Sequence, residues 1–446
     1  MRRGWFATLV AATLWSGSAT AAPKLEEVVL TVALVEDPDF PPLDEKLVNR
    51  SLEYARQEFS RRFDAPAPKF EVKYRFDVDG FLGAYGNPRD PKCKKLYAGR
   101  YKGGGPNELR PHQERALRFM KKWSLDALKG FIEDDAKDRV KSYEEVYDYY
   151  VARYTGTVAN LSKLKTPKGT PLVEPGRSEH RSFVAWMCAL ERQEDSDVVI
   201  TNTFILSDLL TEPHPHSVFG KAKIGGIAMP SGHRSALGGQ VLLATTFGID
   251  TQVATLSELG GEPATFEERA KILGAYLLAH EVAHAIFGIP DVFDHPLGCL
   301  MTSRPGATYR DGIQELEAHP TPCTRCQPYV VARKTLDQGQ SAFEAERYAD
   351  ARRLLLTAAK KIPKHFHGGR RRRIGEIVLL ASRASEESGA RKDAVKFAKL
   401  AVKLNPRSTA ASQHLEALTT VPVRDPTPAL MAARTLTSST STTSGK

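Results

Sequence analysis

The sequence predicts an α/β (α+β) domain with a mixed sheet and one long helix, followed by an all-α helical-repeat domain. Three observations carry this. Short β-branched runs recur in the first half of the chain, a capped amphipathic helix follows them, and strand signals stop after about residue 331. At 446 residues, with 41% hydrophobic and 26% charged side chains, the chain has an ordinary globular balance and room for more than one core.

The elements follow in order. Arg2 and Arg3 precede an apolar run from Trp5 to Trp15, and Ala19-Thr20-Ala21 fits a small-residue cleavage site. Residues 1–21 are therefore expected to be a signal peptide, and the mature chain to be exported, periplasmic or secreted. That run is too short to cross a bilayer and no later one is long enough, so no transmembrane segment is expected. Val28 to Val35 reads as a buried strand, Asp44 to Arg62 as a helix, and Phe70 to Val78 as a second strand. From about residue 80 to 168 the composition turns charged and helical, which reads as an insertion whose tyrosines (Tyr143, Tyr147, Tyr149, Tyr150, Tyr154) pack its core.

Strand signals return at Asp197 to Leu206, Ile224 to Met229 and Gln240 to Phe247. His214 and His216 alternate on a Pro-rich stretch between the first two and read as a solvent loop. Thr265 and Glu268 then form a capping box ahead of an apolar pattern. Leu273, Leu277, His280, His284 and Phe287 share one face of the helix, Gly288 ends it and Pro290 prevents its continuation.

After residue 331, Arg347 to Pro363 (RYADARRLLLTAAKKIP) resembles Ala390 to Pro406 (ARKDAVKFAKLAVKLNP). The Asp350-Ala351 and Asp393-Ala394 pairs keep the same offset as the closing prolines. Residues 331–420 thus resemble degenerate tetratricopeptide repeats, a surface suited to a protein partner. Residues 421–446 are a polar low-complexity tail, expected to be disordered. The formal charge is +10, densest at Arg370 to Arg373, with no nucleic-acid motif beside it. Solvent or acidic surfaces are the expected neighbours, and no nucleic acid is.

The chemistry concentrates in Ala279 to Met301, AHEVAHAIFGIPDVFDHPLGCLM. Histidines at i and i+4 project one turn apart on one helix face and can reach a single zinc ion. Glu281, one residue after the first, points toward where a metal-held water would lie, and its carboxylate suits a general base. His280-Glu281-x-x-His284 is the H-E-x-x-H pattern of zincins. It predicts a Zn2+-dependent peptidase acting on a peptide or protein.

The segment as a whole resembles the metzincins, which continue with G-x-x-H or G-x-x-D and place a methionine beneath the metal. Gly288-Ile289-Pro290-Asp291 is similar to the G-x-x-D form, although three residues separate His284 from Gly288 where the family has two. Cys299-Leu300-Met301 followed by Cys323-Thr324-Arg325-Cys326 resembles the archaemetzincin outline, which implies a second, structural zinc. The resemblance spans residues 25–326, with its specific motifs between His280 and Cys326. It implies a zincin-like fold with Met301 as the Met-turn residue and Tyr309 as an oxyanion stabiliser.

Two assignments of the third ligand stay open. Asp291 keeps the G-x-x-D relation, which leaves His295 to join Cys299, Cys323 and Cys326 at the structural zinc and Cys93 and Cys188 to form a disulfide. Alternatively His295 completes the first site and the cysteines form disulfides, which suits an oxidising compartment. Two other functions are compatible with the same residues: an inactive scaffold that binds through its helical repeats, and a zinc hydrolase of non-peptide amides.

Overall fold

The computed structural model describes residues 23–210 except 122–123, 130–131 and 133; 225–249 except 231–236 and 238; 264–319 except 291–295, 297 and 303–307; and 323–420 except 368. Residues 1–21, where a signal peptide was expected, His214, His216, Asp291, His295 and residues 421–446 all lie outside the described residues.

Five strands form one mixed sheet: β1 (Val29–Glu36), β2 (Lys69–Asp77), β3 (Val198–Thr201), β4 (Gly226–Pro230) and β5 (Gln240–Thr245), in the order β2-β1-β3-β5-β4. β1 pairs in parallel with β2 and β3, and β3 in parallel with β5; β4 alone runs antiparallel, on the outer edge of β5. Every residue of β3 and β5 is buried, which is why these runs read as apolar without alternation. β1 supplies both faces. Leu30, Val32 and Leu34 pack with the helix Glu45–Phe63 and the histidine helix, while Ala33 and Val35 pack with the helices Val78–Tyr85 and Phe183–Arg192.

β3 is shorter than the sequence suggests. Its β-branched run ends at Thr201 because the next two side chains turn to Asp37: Asn202 Oδ1 accepts from the Asp37 amide at 2.7 Å, and the Thr203 hydroxyl donates to Asp37 Oδ2 at 2.7 Å. Side-chain bonds of this kind compete with the ladder. The stretch after residue 80 is helical, as the composition indicates, and has its own core. Tyr147, Tyr150 and Tyr154 are buried there with Leu109, Val158 and Phe204.

The described chain divides into two compact units. One holds residues 23–340 together with 360–370; the other holds 341–359 and 371–420. The C-terminal helices alternate in length: Gln327–Glu344 and Arg370–Glu387 have 18 residues each, Tyr348–Lys361 and Arg391–Leu404 have 14. The Asp-Ala pairs recur in burial too, since Ala351 and Ala394 are both fully buried, and Arg352 reaches Asp393 at 2.9 Å. The chain is an α/β protein with a helical-repeat-like C-terminal part. Among the described residues no helix is long and apolar enough to cross a membrane.

Candidate metal centre

The histidine helix starts and stops where its sequence dictates. The Thr265 hydroxyl accepts from the Glu268 amide at 3.2 Å and Glu268 Oε2 accepts from the Thr265 amide at 2.8 Å, so both halves of the capping box are made. The helix is α over Phe266–Lys271, widens to π over Ile272–Leu278, and returns to α over Ala279–Phe287. The widened turn packs tightly on the helix Glu45–Phe63: a Cβ on Gly274 would sit 2.0 Å from the Ser51 carbonyl oxygen. Gly288 caps the end at φ +68°, in the left-handed region that glycine enters without strain, and its amide donates to the His284 carbonyl at 3.0 Å.

The two imidazoles are held from behind. His280 Nδ1 lies 2.8 Å from the Leu300 carbonyl oxygen and His284 Nδ1 lies 2.5 Å from that of Ile289. A carbonyl oxygen only accepts, so both Nδ1 atoms carry a proton, and the Nε2 of each ring points away from its backing carbonyl. Those Nε2 atoms face each other at 2.9 Å. A contact this short needs a cation between the two nitrogens, either a shared proton or a metal ion. Metal-binding histidines are oriented by this kind of backing. A tetrahedral zinc with nitrogen ligands would set the two atoms about 3.3 Å apart, so the donors converge to nearly the spacing such an ion needs.

Glu281 completes the cluster: one ligand atom from each of His280, Glu281 and His284 lies within 4.8 Å of the others. Its carboxylate is buried beneath the antiparallel edge strand, where a Cβ on Gly226 would come within 2.9 Å of Glu281 Oε1. Adjacent Gly225 faces the Tyr309 hydroxyl in the same way, at 2.5 Å, and Tyr309 packs edge-on against Tyr276. Two successive glycines thus let β4 pass close over both side chains. Met301 is fully buried in the core that holds the helix, one residue after the carbonyl that anchors His280.

A second donor group lies in the same core. The sulfurs of Cys299, Cys323 and Cys326 lie within 4.8 Å of one another, all three residues are buried, and Cys299 Sγ is 3.6 Å from Cys326 Sγ. Tetrahedral zinc thiolates put their sulfurs about 3.8 Å apart. The hydrogen bond from Cys326 brings the Cys323 thiol down to about 7, and the bond with Cys299 pushes Cys326 up. Buried Arg62 holds the surrounding turns together. Its guanidinium donates to the carbonyls of Gly298 (2.9 Å), His319 and Leu316 and pairs with Glu58, which also takes Arg61 at 2.6 Å. Cys93 and Cys188 form a disulfide with their Cα atoms 5.3 Å apart.

The structure therefore places His280, Glu281 and His284 together, and separately Cys299, Cys323 and Cys326, with Met301 buried in the core common to both. Asp291 and His295 lie outside the described residues. Sequence reasoning missed the neighbours drawn in from afar: Arg62, the Gly225-Gly226 pair and His367, whose ring centroid lies 4.9 Å from that of His284. None of these has a local pattern; only a glycine pair inside a strand hinted at a close approach. Against family models, curated proteins and solved structures, the chain matches none.

Proposed function

We propose that the chain is an exported zinc-dependent metallopeptidase with a zincin-like domain of metzincin type. The observation that carries this reading is the pair of Nε2 atoms at 2.9 Å, each imidazole fixed by a carbonyl behind it, with the Glu281 carboxylate alongside. A zinc ion bound there supplies Lewis acidity, polarising a substrate carbonyl and making water a better nucleophile at neutral pH. Glu281 takes the proton from water as its oxygen attacks the scissile carbonyl carbon. It then returns that proton to the amide nitrogen as the C–N bond breaks.

β4 supports a peptide as substrate. Among the described residues it is the edge strand of the sheet, and it passes over Glu281, so an extended chain that pairs along it would bring a scissile bond near the carboxylate. The Tyr309 hydroxyl, at the start of that strand, is near enough to donate to the carbonyl oxygen as charge builds on it. Cys299, Cys323 and Cys326 hold a structural zinc in this reading, and the disulfide at Cys93–Cys188 suits an oxidising compartment.

The test is zinc content and cleavage of an unstructured protein, wild type against Glu281→Gln. Zinc is expected in both, with cleavage by the variant lower by roughly 100- to 10,000-fold, the range of a lost general base. Zinc retained by a wild type that cleaves neither unstructured protein nor peptides would overturn the peptidase reading.

A further inference from the structure

The positive charge of the chain is concentrated. Residues 341–420 hold 17 Lys and Arg against 8 Asp and Glu, while the rest of the chain holds 46 against 45. Nearly all of the formal +10 thus belongs to the C-terminal helices. The helix Arg391–Leu404 gives part of that charge a single direction. Lys392, Lys396, Lys399 and Lys403 follow at i, i+4, i+7 and i+11, on one stripe about 16 Å long. The buried side of the helix, Ala394, Ala398 and Ala401, lies opposite. All four lysines are exposed, and the acidic residue of this helix, Asp393, pairs with Arg352 instead. Among the described residues no ion pair takes any of the four ammoniums.

The repeat-like fold does not require this stripe. In the corresponding helix, Tyr348–Lys361, the buried positions recur 43 residues earlier as Ala351, Leu355 and Ala358. The positions that match the four lysines are Ala349, Arg353, Leu356 and Lys360, and Arg353 is paired with Asp350 at 3.3 Å. Like charges four apart on a helix repel, so the lysine row costs its helix stability. What it gains is attraction for a negative surface. The residue type narrows the kind of surface. Lysine carries a point charge on a flexible stem, without the planar fork by which arginine grips a single carboxylate or phosphate. A row of such charges suits a sheet of anionic groups better than one shaped acidic site. Leu400, 40% exposed, is the helical neighbour of both Lys396 and Lys403. It can enter the boundary between headgroups and acyl chains while the lysine stems reach up beside it. We propose that the Lys392–Lys403 face docks the protein on an anionic phospholipid surface. This docking is independent of the metal chemistry and needs no spanning segment.

The experiment uses the full mature chain and vesicles of phosphatidylcholine, alone or with about one-third phosphatidylglycerol, read by co-sedimentation. Wild type should bind the anionic vesicles and not the neutral ones, and should release them as salt is raised. Each lysine near such a surface is worth about fivefold in affinity. The variant K392Q/K396Q/K399Q/K403Q should therefore bind at least ~100-fold more weakly, with circular dichroism unchanged. A control, K94Q/K95Q/K163Q/K165Q, removes four exposed lysines elsewhere and should stay within about threefold of wild type. An equal loss in the control would show that overall charge alone acts, and would overturn the proposal. So would a wild type that binds both kinds of vesicle alike, or neither. Preference for polyglutamate over the anionic vesicles would assign the face to an acidic protein and overturn it too. If the stripe variant fails to fold, the wild type still decides. Anionic vesicles should slow acetylation of Lys392, Lys396, Lys399 and Lys403 by acetic anhydride, read by peptide mass spectrometry, and unchanged rates would overturn the docking role.

Discussion

The nitrogen and sulfur groups share one core, yet they are assembled in different ways. His280, Glu281 and His284 come from two turns of a single helix, so their spacing is set by helical geometry, and the tertiary structure adds the carbonyls behind each ring. The cysteines come from a turn at Cys299 and another at Cys323–Cys326, and they meet in the shared core, where the Arg62 guanidinium ties the Gly298 carbonyl beside the first turn to the end of the helix Tyr309–Ala318. They differ in access too. All three cysteines are buried, as are Glu281 and His284, whereas His280 is half-buried. Structural zinc sites are closed and catalytic ones keep an opening. The difference teaches that donors on one helix are spaced by local geometry, whereas donors gathered from distant turns depend on the tertiary fold; in the proposed reading the first group does chemistry and the second staples the fold.

The comparison breaks if the two groups are not independent. In the double variant His280→Ala/His284→Ala, zinc content should fall by one equivalent and affinity at that site by more than ~100-fold. The cobalt–thiolate band should persist and the melting temperature should change little. Loss of both metals together would show one interdependent centre. Cys326→Ser tests the converse. Because ligand binding at a structural site is folding energy, the melting temperature should drop by roughly 10 °C or more, on the basis of about 2–4 °C per kcal/mol in a domain of this size. Hydrolysis per folded molecule should be retained. A stable variant that loses activity would assign the cysteines to the chemistry instead.

The same contrast explains what could be read from the sequence. The histidine helix was legible from Thr265 to Gly288 because cap, apolar period and terminal glycine are local signals, each satisfied within a few residues. β1 and β5 were legible as short apolar runs and β2 from its alternation. β3 was overread by several residues, because the bonds from Asn202 and Thr203 to Asp37 depend on a residue far away in sequence. The π turn is invisible to a 3.6-residue period, as is the close approach of Ser51 that Gly274 permits within it. His367 carries no local signal at all, and its place beside His284 goes with a backbone bond to Gly288.

The smallest expected effect is the sharpest test of whether the histidine helix acts as one rigid rod. Thr265→Ala removes the hydroxyl that caps the Glu268 amide and costs about 0.5–2 kcal/mol of stability. The cap lies fifteen residues before His280, beyond the π turn that locks the middle of the helix to Ser51. Fraying of the first turn should therefore stop at the π segment, leaving the carbonyl anchors of His280 and His284 in place. Zinc affinity and turnover are expected to match wild type within about twofold, while the melting temperature falls by a few degrees. If zinc affinity weakens along with stability, the helix transmits strain end to end. The nitrogen site would then depend on the global fold as fully as the thiols do, and the distinction between locally spaced donors and a staple would be lost.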